Sequence, residues 1–232
     1  KYKADFIYQN LTIQNNIIHG AFQNGVKDMI FLGSSCVYPK FSKQPIKENY
    51  LLGGYLEETN DAYAIAKIAG IQMCEAYNKQ YNLNYICLMP TNLYGENDNF
   101  DIASSHVIPG LISKFLLAKK RKLDVKIWGT GKPIREFLHV DDFANEIFLT
   151  LKTSKKKMNK INKKKLPIFN VGSGELITIK KLAFLIKKIT NFNGKVYFDK
   201  SFPDGTINKN LDSNKIKELK WKANIKLASG LK

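Results

Sequence analysis

Tyr63 and Lys67 stand four residues apart in the run Tyr63-Ala64-Ile65-Ala66-Lys67. On a helix, positions i and i+4 share a face, so the spacing predicts the Lys67 ammonium beside the Tyr63 phenol. A free phenol titrates near pH ~10, and a neighbouring cation favours its charged form. The pair reads as a proton donor to, or acceptor from, a carbonyl oxygen. Upstream, the apolar run Met29 to Leu32 ends in Gly33-Ser34-Ser35. Ligands of open α/β sheets sit at strand C-termini, where the Ser34 hydroxyl can hydrogen-bond the same carbonyl oxygen. Alone, Tyr-x-x-x-Lys is a weak signal whose plainer reading is a helix-surface pair. A strand-end serine ahead of it strengthens the chemical reading.

The elements that must position these residues alternate between helix and strand. Helices are predicted over Phe6 to Asn24, Ala62 to Tyr81, Val107 to Lys120, Asp141 or Asp142 to Leu151, Thr178 to Ile189 and Ser213 to Leu219. Strands are predicted at Met29 to Leu32, Tyr85 to Met89, Val125 to Trp128, Phe137 to Val140, Ile168 to Val171 and Lys195 to Phe198. Such alternation, with connections long enough for crossovers, argues an α/β fold with a mainly parallel sheet. Residues 39 to 60 read as a loop, and the lysine-rich stretch 152 to 165 as a surface loop. A dinucleotide-binding fold of this class starts with a strand, a G-x-G-x-x-G turn and a helix. No such turn occurs here and the chain opens on a helix. We expect a partial Rossmann-type doubly wound parallel sheet, its first βα units missing, with a smaller α/β substrate-binding lobe. The dinucleotide-binding remainder is expected over 1–101 and 141–171, and the interleaved lobe over 102–140 and 172–232. A further helix is expected to start near Ile225.

The chain has 232 residues with 44% hydrophobic content, enough for one sizeable core or a core plus a small lobe. No apolar run reaches the roughly 18 residues of a membrane span, and no signal-peptide core follows Lys1-Tyr2-Lys3. The three cysteines, Cys36, Cys74 and Cys87, lack paired spacing, so a disulfide framework is not expected and a reducing cytoplasm is. No His/Cys/Asp cluster has metal-ligand spacing, and no metal is expected. The net charge of +17 invites a nucleic-acid reading, but Arg121 and Arg135 are the sole arginines. The lysine run lacks aromatics that would stack on bases, so no nucleic-acid role is expected. A charge of this size still attracts anionic ligands.

The strand-end serine followed by Tyr-x-x-x-Lys resembles the extended short-chain dehydrogenase/reductases. Within them, the segments LGSSCVYP (32–39), YAIAKIAGIQMCE (63–75), MPTNLYG (89–95), SHVIP (105–109), REFLHVDD (135–142), NVGSG (170–174) and PDGT (203–206) resemble the GDP-L-fucose synthases. The resemblance covers nearly the whole chain, with the motifs in order. It implies epimerisation of GDP-4-keto-6-deoxy-D-mannose at C3 and C5, then reduction at C4 with NADPH, by a cytoplasmic homodimer. It implies Ser34, Tyr63 and Lys67 as the carbonyl-handling set, and Cys36 and His106 as the base and acid of epimerisation. Protons beside a ketone are removable, because the enolate spreads the charge onto the oxygen. A thiolate of lowered pKa and an imidazole suit the two transfers. Leu32, Gly33, Ser34, Ser35, Tyr63, Lys67, Pro90, Thr91, Asn92, Leu93 and His106 are the implied NADP(H) contacts. Lys114, Trp128, Arg135, Asp204 and Lys209 are the implied substrate contacts.

Each residue also has a plainer reading. Cys36 suits a small buried hydrophobe. His106 suits a helix cap, and Asp141 and Asp142 suit helix capping. Cys74 and Cys87 read as core, His139 as structural and His19 as helix surface. Lys114, Arg135 and Lys209 suit plain surface charge. Two other functions stay open: a nucleotide-sugar 4-epimerase or dehydratase of the same fold, and a non-catalytic relative. Without the glycine-rich turn, the expectation for the 232 residues alone is weak cofactor binding and little turnover.

Overall fold

The computed structural model describes residues 2–162 and 166–232. In chain order the first elements are helix α1 (Lys3–Gln23), strand β1 (Asp28–Leu32), helix α2 (Asp61–Tyr81), and strands β2 (Asn84–Pro90) and β3 (Asn92–Tyr94). Next come helix α3 (Val107–Arg121), strands β4 (Val125–Trp128) and β5 (Ile134–His139), and helices α4 (Val140–Lys152) and α5 (Lys155–Asn162). The remainder holds β6 (Ile168–Val171), β7 (Leu176–Thr178), α6 (Ile179–Ile189), β8 (Val196–Asp199), β9 (Asn208–Lys209), α7 (Asn214–Lys217) and α8 (Leu227–Gly230). The chain forms two compact, interleaved units. One comprises Lys1–Thr91, Phe143–Gly172 and Leu211–Lys222; the other comprises Asn92–Asp142, Ser173–Asn210 and Ala223–Lys232.

The first unit is built on a parallel sheet of order β1-β2-β6. Its central strand β2 reads Tyr-Ile-Cys-Leu-Met-Pro after Asn84, and all six of those residues are buried, as a strand covered on both faces requires. Helices α1 and α2 pack closely, and Gln14 Nε2 donates to the Ala66 carbonyl at 2.6 Å. Gly70 sits where α2 meets the Phe31 ring, and a Cβ there would overlap that ring. The core joins Ile18, Phe31, Val37, Ile71, Tyr85, Met89 and Ile168. Leu211 belongs to the same core and bridges to Ile46, so Leu211–Lys222 groups with this unit rather than with the 172–232 lobe expected from sequence.

The lysine-rich stretch is not a loop over most of its length. Residues 155–162 form α5, because Met158 and Ile161, one turn apart, are buried and the lysines 155–157 and 160 around them are good helix formers. Positions 163–165 of that stretch lie outside the described residues. Asp141 and Asp142 do not cap α4 but lie inside its first turn.

The second unit holds two sheets. In one, β5 pairs with β3 and β9 in parallel and with β7 antiparallel; the other is the parallel pair β4-β8. Its core gathers Tyr94, Leu111, Phe115, Ile127, Phe137, Leu182, Ile186 and Phe192. Helix α6 begins as expected from a threonine cap, with Thr178 Oγ1 accepting the Lys181 N–H at 3.1 Å. The expected extended piece 137–140 is β5, displaced toward the N-terminus, since its first residues include buried Glu136, which accepts the Gly174 N–H at 2.7 Å. Asp142 accepts the N–H groups of Asn224 and Ile225 at 3.0 and 2.8 Å, and Glu175 accepts that of Leu227 at 3.0 Å. Those bonds hold the last segment of the chain to this unit. Among the described residues, no helix is long and apolar enough to cross a membrane.

Candidate active site

The residues singled out by type and spacing fall into two groups, one in each unit. In the first unit, β1 delivers Leu32, Gly33 and Ser34 to the C-terminal edge of the parallel sheet. Gly33 continues the ladder, its N–H donating to the Leu88 carbonyl at 2.9 Å. Ser34 then caps a 3₁₀ turn of Ser35–Val37, its Oγ accepting the Cys36 N–H at 3.3 Å. The Tyr63 phenol, near the start of α2, lies close enough to the same hydroxyl for Ser34 to hold its pKa down. One turn on, Lys67 donates to the Leu32 carbonyl at 3.0 Å, and its ammonium lies 5.6 Å from the centre of the Tyr63 ring. Ser34, Cys36, Tyr63 and Lys67 therefore form one cluster. Pro90 and Thr91 end the neighbouring strand β2, where the Thr91 N–H donates to the Val171 carbonyl at 3.0 Å. Ser35 is buried beneath the turn.

The electrostatics of Tyr63 differ from the sequence expectation. Burial pushes its pKa up, the nearby Cys36 adds to the rise, and the Ser34 hydroxyl offsets part of it. Lys67 does not lower it, because the ammonium bonds the Leu32 carbonyl and is itself half-buried, which lowers its own pKa. At neutral pH the phenol thus carries a proton it can donate. Ser34, Tyr63 and the Lys67 ammonium are donors grouped at a strand end, an arrangement that can polarise and protonate a ketone oxygen.

In the second unit, His106, Lys114, Trp128, Arg135 and Asp204 line one cavity of about 310 Å³. That is roughly the lower size of small-molecule pockets. His106 occupies the cap position of α3, yet its side chain makes no cap hydrogen bond, so capping does not explain it. Lys114 projects from α3 over the Trp128 ring at 4.7 Å, and Trp128 stacks on Phe202 at 4.8 Å. Burial lowers the pKa of Lys114. It does the same to Arg135, against the opposing pull of Asp204. Asp204 takes two hydrogen bonds from Thr130, from its N–H and its hydroxyl, both at 2.6 Å. Gly129, at φ +81, is required in that turn because a Cβ would run into the Asp204 carboxylate. Lys209 sits opposite Arg135 in the β5–β9 register and is not among the cavity's lining residues. Asn92 and Leu93 lie on β3, and the Asn92 amide donates to the Glu136 carbonyl at 2.9 Å.

Two residues, one in the cavity wall and one behind it, were given no role from the sequence. Ser105 lines the cavity beside His106, and its hydroxyl is buried without a hydrogen-bond partner. Thr130 holds Asp204. Ser105 opens the SHVIP segment (105–109), and the Gly-Thr-Gly run 129–131 was the available signal for Thr130. Among the described residues, no group of three or more His, Cys, Asp or Glu side chains could hold a metal ion.

A strand-end serine beside a tyrosine, with a lysine one turn further along the same helix, on a parallel α/β sheet, defines an oxidoreductase site of the short-chain dehydrogenase type. Residues 1–172 match the NAD dependent epimerase/dehydratase family, and the chain belongs to that family. It is 50% identical over 231 residues to GDP-L-fucose synthase of Escherichia coli (strain K12), covering 99% of this chain and 72% of that protein. A GDP-6-OMe-4-keto-L-xylo-heptose reductase from C. jejuni matches the fold with a TM-score of 0.92 at 41% identity, over 99% of this chain and 75% of that one. A GDP-L-fucose synthetase from Naegleria fowleri bound to NADP matches with a TM-score of 0.89 at 29% identity, over 99% and 71% of the two chains.

Proposed function

We propose that this protein makes GDP-L-fucose, by epimerising GDP-4-keto-6-deoxy-D-mannose at C3 and C5 and then reducing the ketone at C4. The observation that carries the reading is the turn 34–36. There Ser34 Oγ meets both the Tyr63 phenol and the Cys36 N–H, so a ketone-polarising pair and a thiol share three residues. The similarity to GDP-L-fucose synthase supports the choice of sugar nucleotide.

Ser34 and Tyr63 donate hydrogen bonds to the C4 oxygen, and their bonds strengthen as enolate charge develops there. Cys36 removes the protons at C3 and C5, and His106 returns protons on the opposite face. In the reduction Tyr63 gives its proton to the C4 oxygen, which its raised pKa allows at neutral pH. The residues present fit the nicotinamide end of NADP(H): Lys67 offers a half-buried ammonium at the sheet edge, beside the apolar Leu32 side chain, which is 45% exposed at the strand end. Lys67 and Tyr63 would hold the ribose, with Gly33, Ser35, Pro90, Thr91, Asn92 and Leu93 toward the nicotinamide. When bound, NADPH supplies the hydride. Lys114 and Arg135 face the diphosphate, with Lys209 a further cation, while Asp204 sets the turn that carries Trp128.

The assembly we assign is a homodimer. Phe6, Ile13 and Ile17 form one stripe of α1 at 49%, 59% and 59% exposure, and Ile65 on α2 is 48% exposed. Cytoplasm is the assigned compartment, since a thiol base requires reducing surroundings and all three cysteines are thiols.

The test supplies the full-length enzyme with GDP-4-keto-6-deoxy-D-mannose and NADPH. Oxidation of NADPH with formation of GDP-L-fucose is expected. Turnover of UDP-galactose without NADPH consumption would sink the reading.

A further inference from the structure

The turn that carries Cys36 ends at Tyr38, a residue the chemistry above does not use. Tyr38 is 3% exposed, and its phenol donates to Asn170 Oδ1 on β6 at 2.6 Å. Asn170 is fully buried, and its amide nitrogen donates to the carbonyls of Ile46 at 2.9 Å and Asp212 at 3.2 Å. Those two carbonyls require the NH₂ end of the amide, so the oxygen end faces Tyr38 and the phenol must be the donor. The Asn170 backbone N–H donates to Glu48 Oε1 at 3.1 Å. Glu48 is 6% exposed, and the Lys215 ammonium lies 3.9 Å from its other oxygen. Lys215 in turn donates to Asn162 Oδ1 at 3.0 Å. Asn170 is thus a hub joining β6, the loop at Ile46 and Glu48, the segment before α7, and the end of the Cys36 turn.

The two ends of segment 34–38 are anchored differently. Its start is tied into the β1–β2 ladder through Gly33 and the Leu88 carbonyl, and Ser34 lies close to Tyr63 beside that anchor. Its end is tied to the hub through Tyr38. Cys36 lies between the two, so the placement of its thiol depends on both anchors, whereas Ser34 and Tyr63 depend on the first.

We propose that Tyr38 and Asn170 are positioning residues for the epimerisation half of the reaction, fixing the bearing of the Cys36 thiol without touching substrate or cofactor. The inference rests on the assignment of Cys36 as the base. A proton transfer needs its partners within hydrogen-bond reach, and a misplacement of about 1 Å costs on the order of a hundredfold in rate. The reduction, carried by Ser34, Tyr63 and Lys67, keeps its own anchors when the Tyr38 bond is lost.

The test is Tyr38→Phe, which removes one oxygen and keeps the ring. Two rates are measured on the full-length enzyme: solvent exchange of the C3 and C5 hydrogens of GDP-4-keto-6-deoxy-D-mannose in D₂O, and NADPH oxidation with the already epimerised ketone. We expect kcat for exchange to fall about tenfold or more while reduction and both KM values stay within about twofold. Asn170→Ser tests the other partner and carries the same expectation, so a Tyr38 variant that fails to fold does not end the experiment. Exchange at the wild-type rate in the folded variant, or a proportional loss of both rates, overturns the proposal. Cys36→Ser is run alongside. If it abolishes exchange while Tyr38→Phe has no effect, the base assignment stands and the positioning role falls. If it leaves exchange intact, both fall together.

Discussion

A phenol that hands its proton to a ketone must keep that proton until the oxygen takes it. Burial does this for Tyr63, and the Ser34 hydroxyl lies beside it. Tyr63→Phe should lower the reduction kcat by about 10²- to 10⁴-fold, read as NADPH oxidation with the already epimerised ketone. Glu146 on α4 gives a second prediction, about stability. It is fully buried, with Oε1 accepting the Thr150 hydroxyl at 2.8 Å and Oε2 without a partner. Burial pushes its pKa up to about 7, with a small offset from Thr150. In the unfolded chain a glutamate titrates near pH ~4.3, so its contribution is fully present below that value and is lost as pH rises through about 7. Glu146→Gln should therefore gain urea resistance over wild type at pH ~8 and little at pH ~4, the two sides of that window. Equal midpoint differences at both values would exclude the titration. At this scale spacing and the strand-end serine pointed to Ser34, Tyr63 and Lys67, and the family resemblance pointed to Cys36. The direction of the Tyr63 shift was not legible, because desolvation is set by what packs around a side chain. The same holds for Asp142, which bonds a segment some eighty residues along the chain.

Long elements with strong periodicity were readable, and short ones were not. Helices α1, α2, α3 and α6 and strands β1, β2, β4, β6 and β8 lie within a few residues of their sequence expectations. Strands β3, β7 and β9 have three, three and two residues, too few to show alternation, and they exist because β5 offers them ladder partners. The contact of α2 with β1 yields an element-scale prediction. Gly70→Ala would force a methyl against the Phe31 ring and within 3.0 Å of Gln14 Oε1. Overpacking of this kind costs about 1–3 kcal/mol, outweighing the better helix propensity of alanine. A denaturation midpoint equal to or above wild type would show that α1 and α2 move apart freely. Because α2 carries Tyr63 and Lys67, such movement would also reach the site.

For the whole molecule, the apolar stripe of α1 is the feature a monomer does not explain. If the proposed dimer forms through this stripe, Ile17→Lys should convert it to monomer in light scattering, leaving circular dichroism unchanged, since Ile17 is 59% exposed and its neighbour Ile18 is 1% exposed in the core. A dimer that survives the change would place the interface elsewhere. Fold class was legible from the alternation of helix and strand. The assignment of Leu211–Lys222 was not, because it follows from the bridge between Ile46 and Leu211 rather than from any local pattern. That bridge also bears on synthesis. Ile46 leaves the ribosome long before its partner, and at translation rates of about 5–20 residues per second the wait is on the order of ten seconds or more. Over that interval the first unit's core is incomplete, with the hub around Asn170 lacking the Asp212 carbonyl. Until Leu211 and Asp212 arrive, the apolar residues of that core stand open to whatever surrounds the nascent chain.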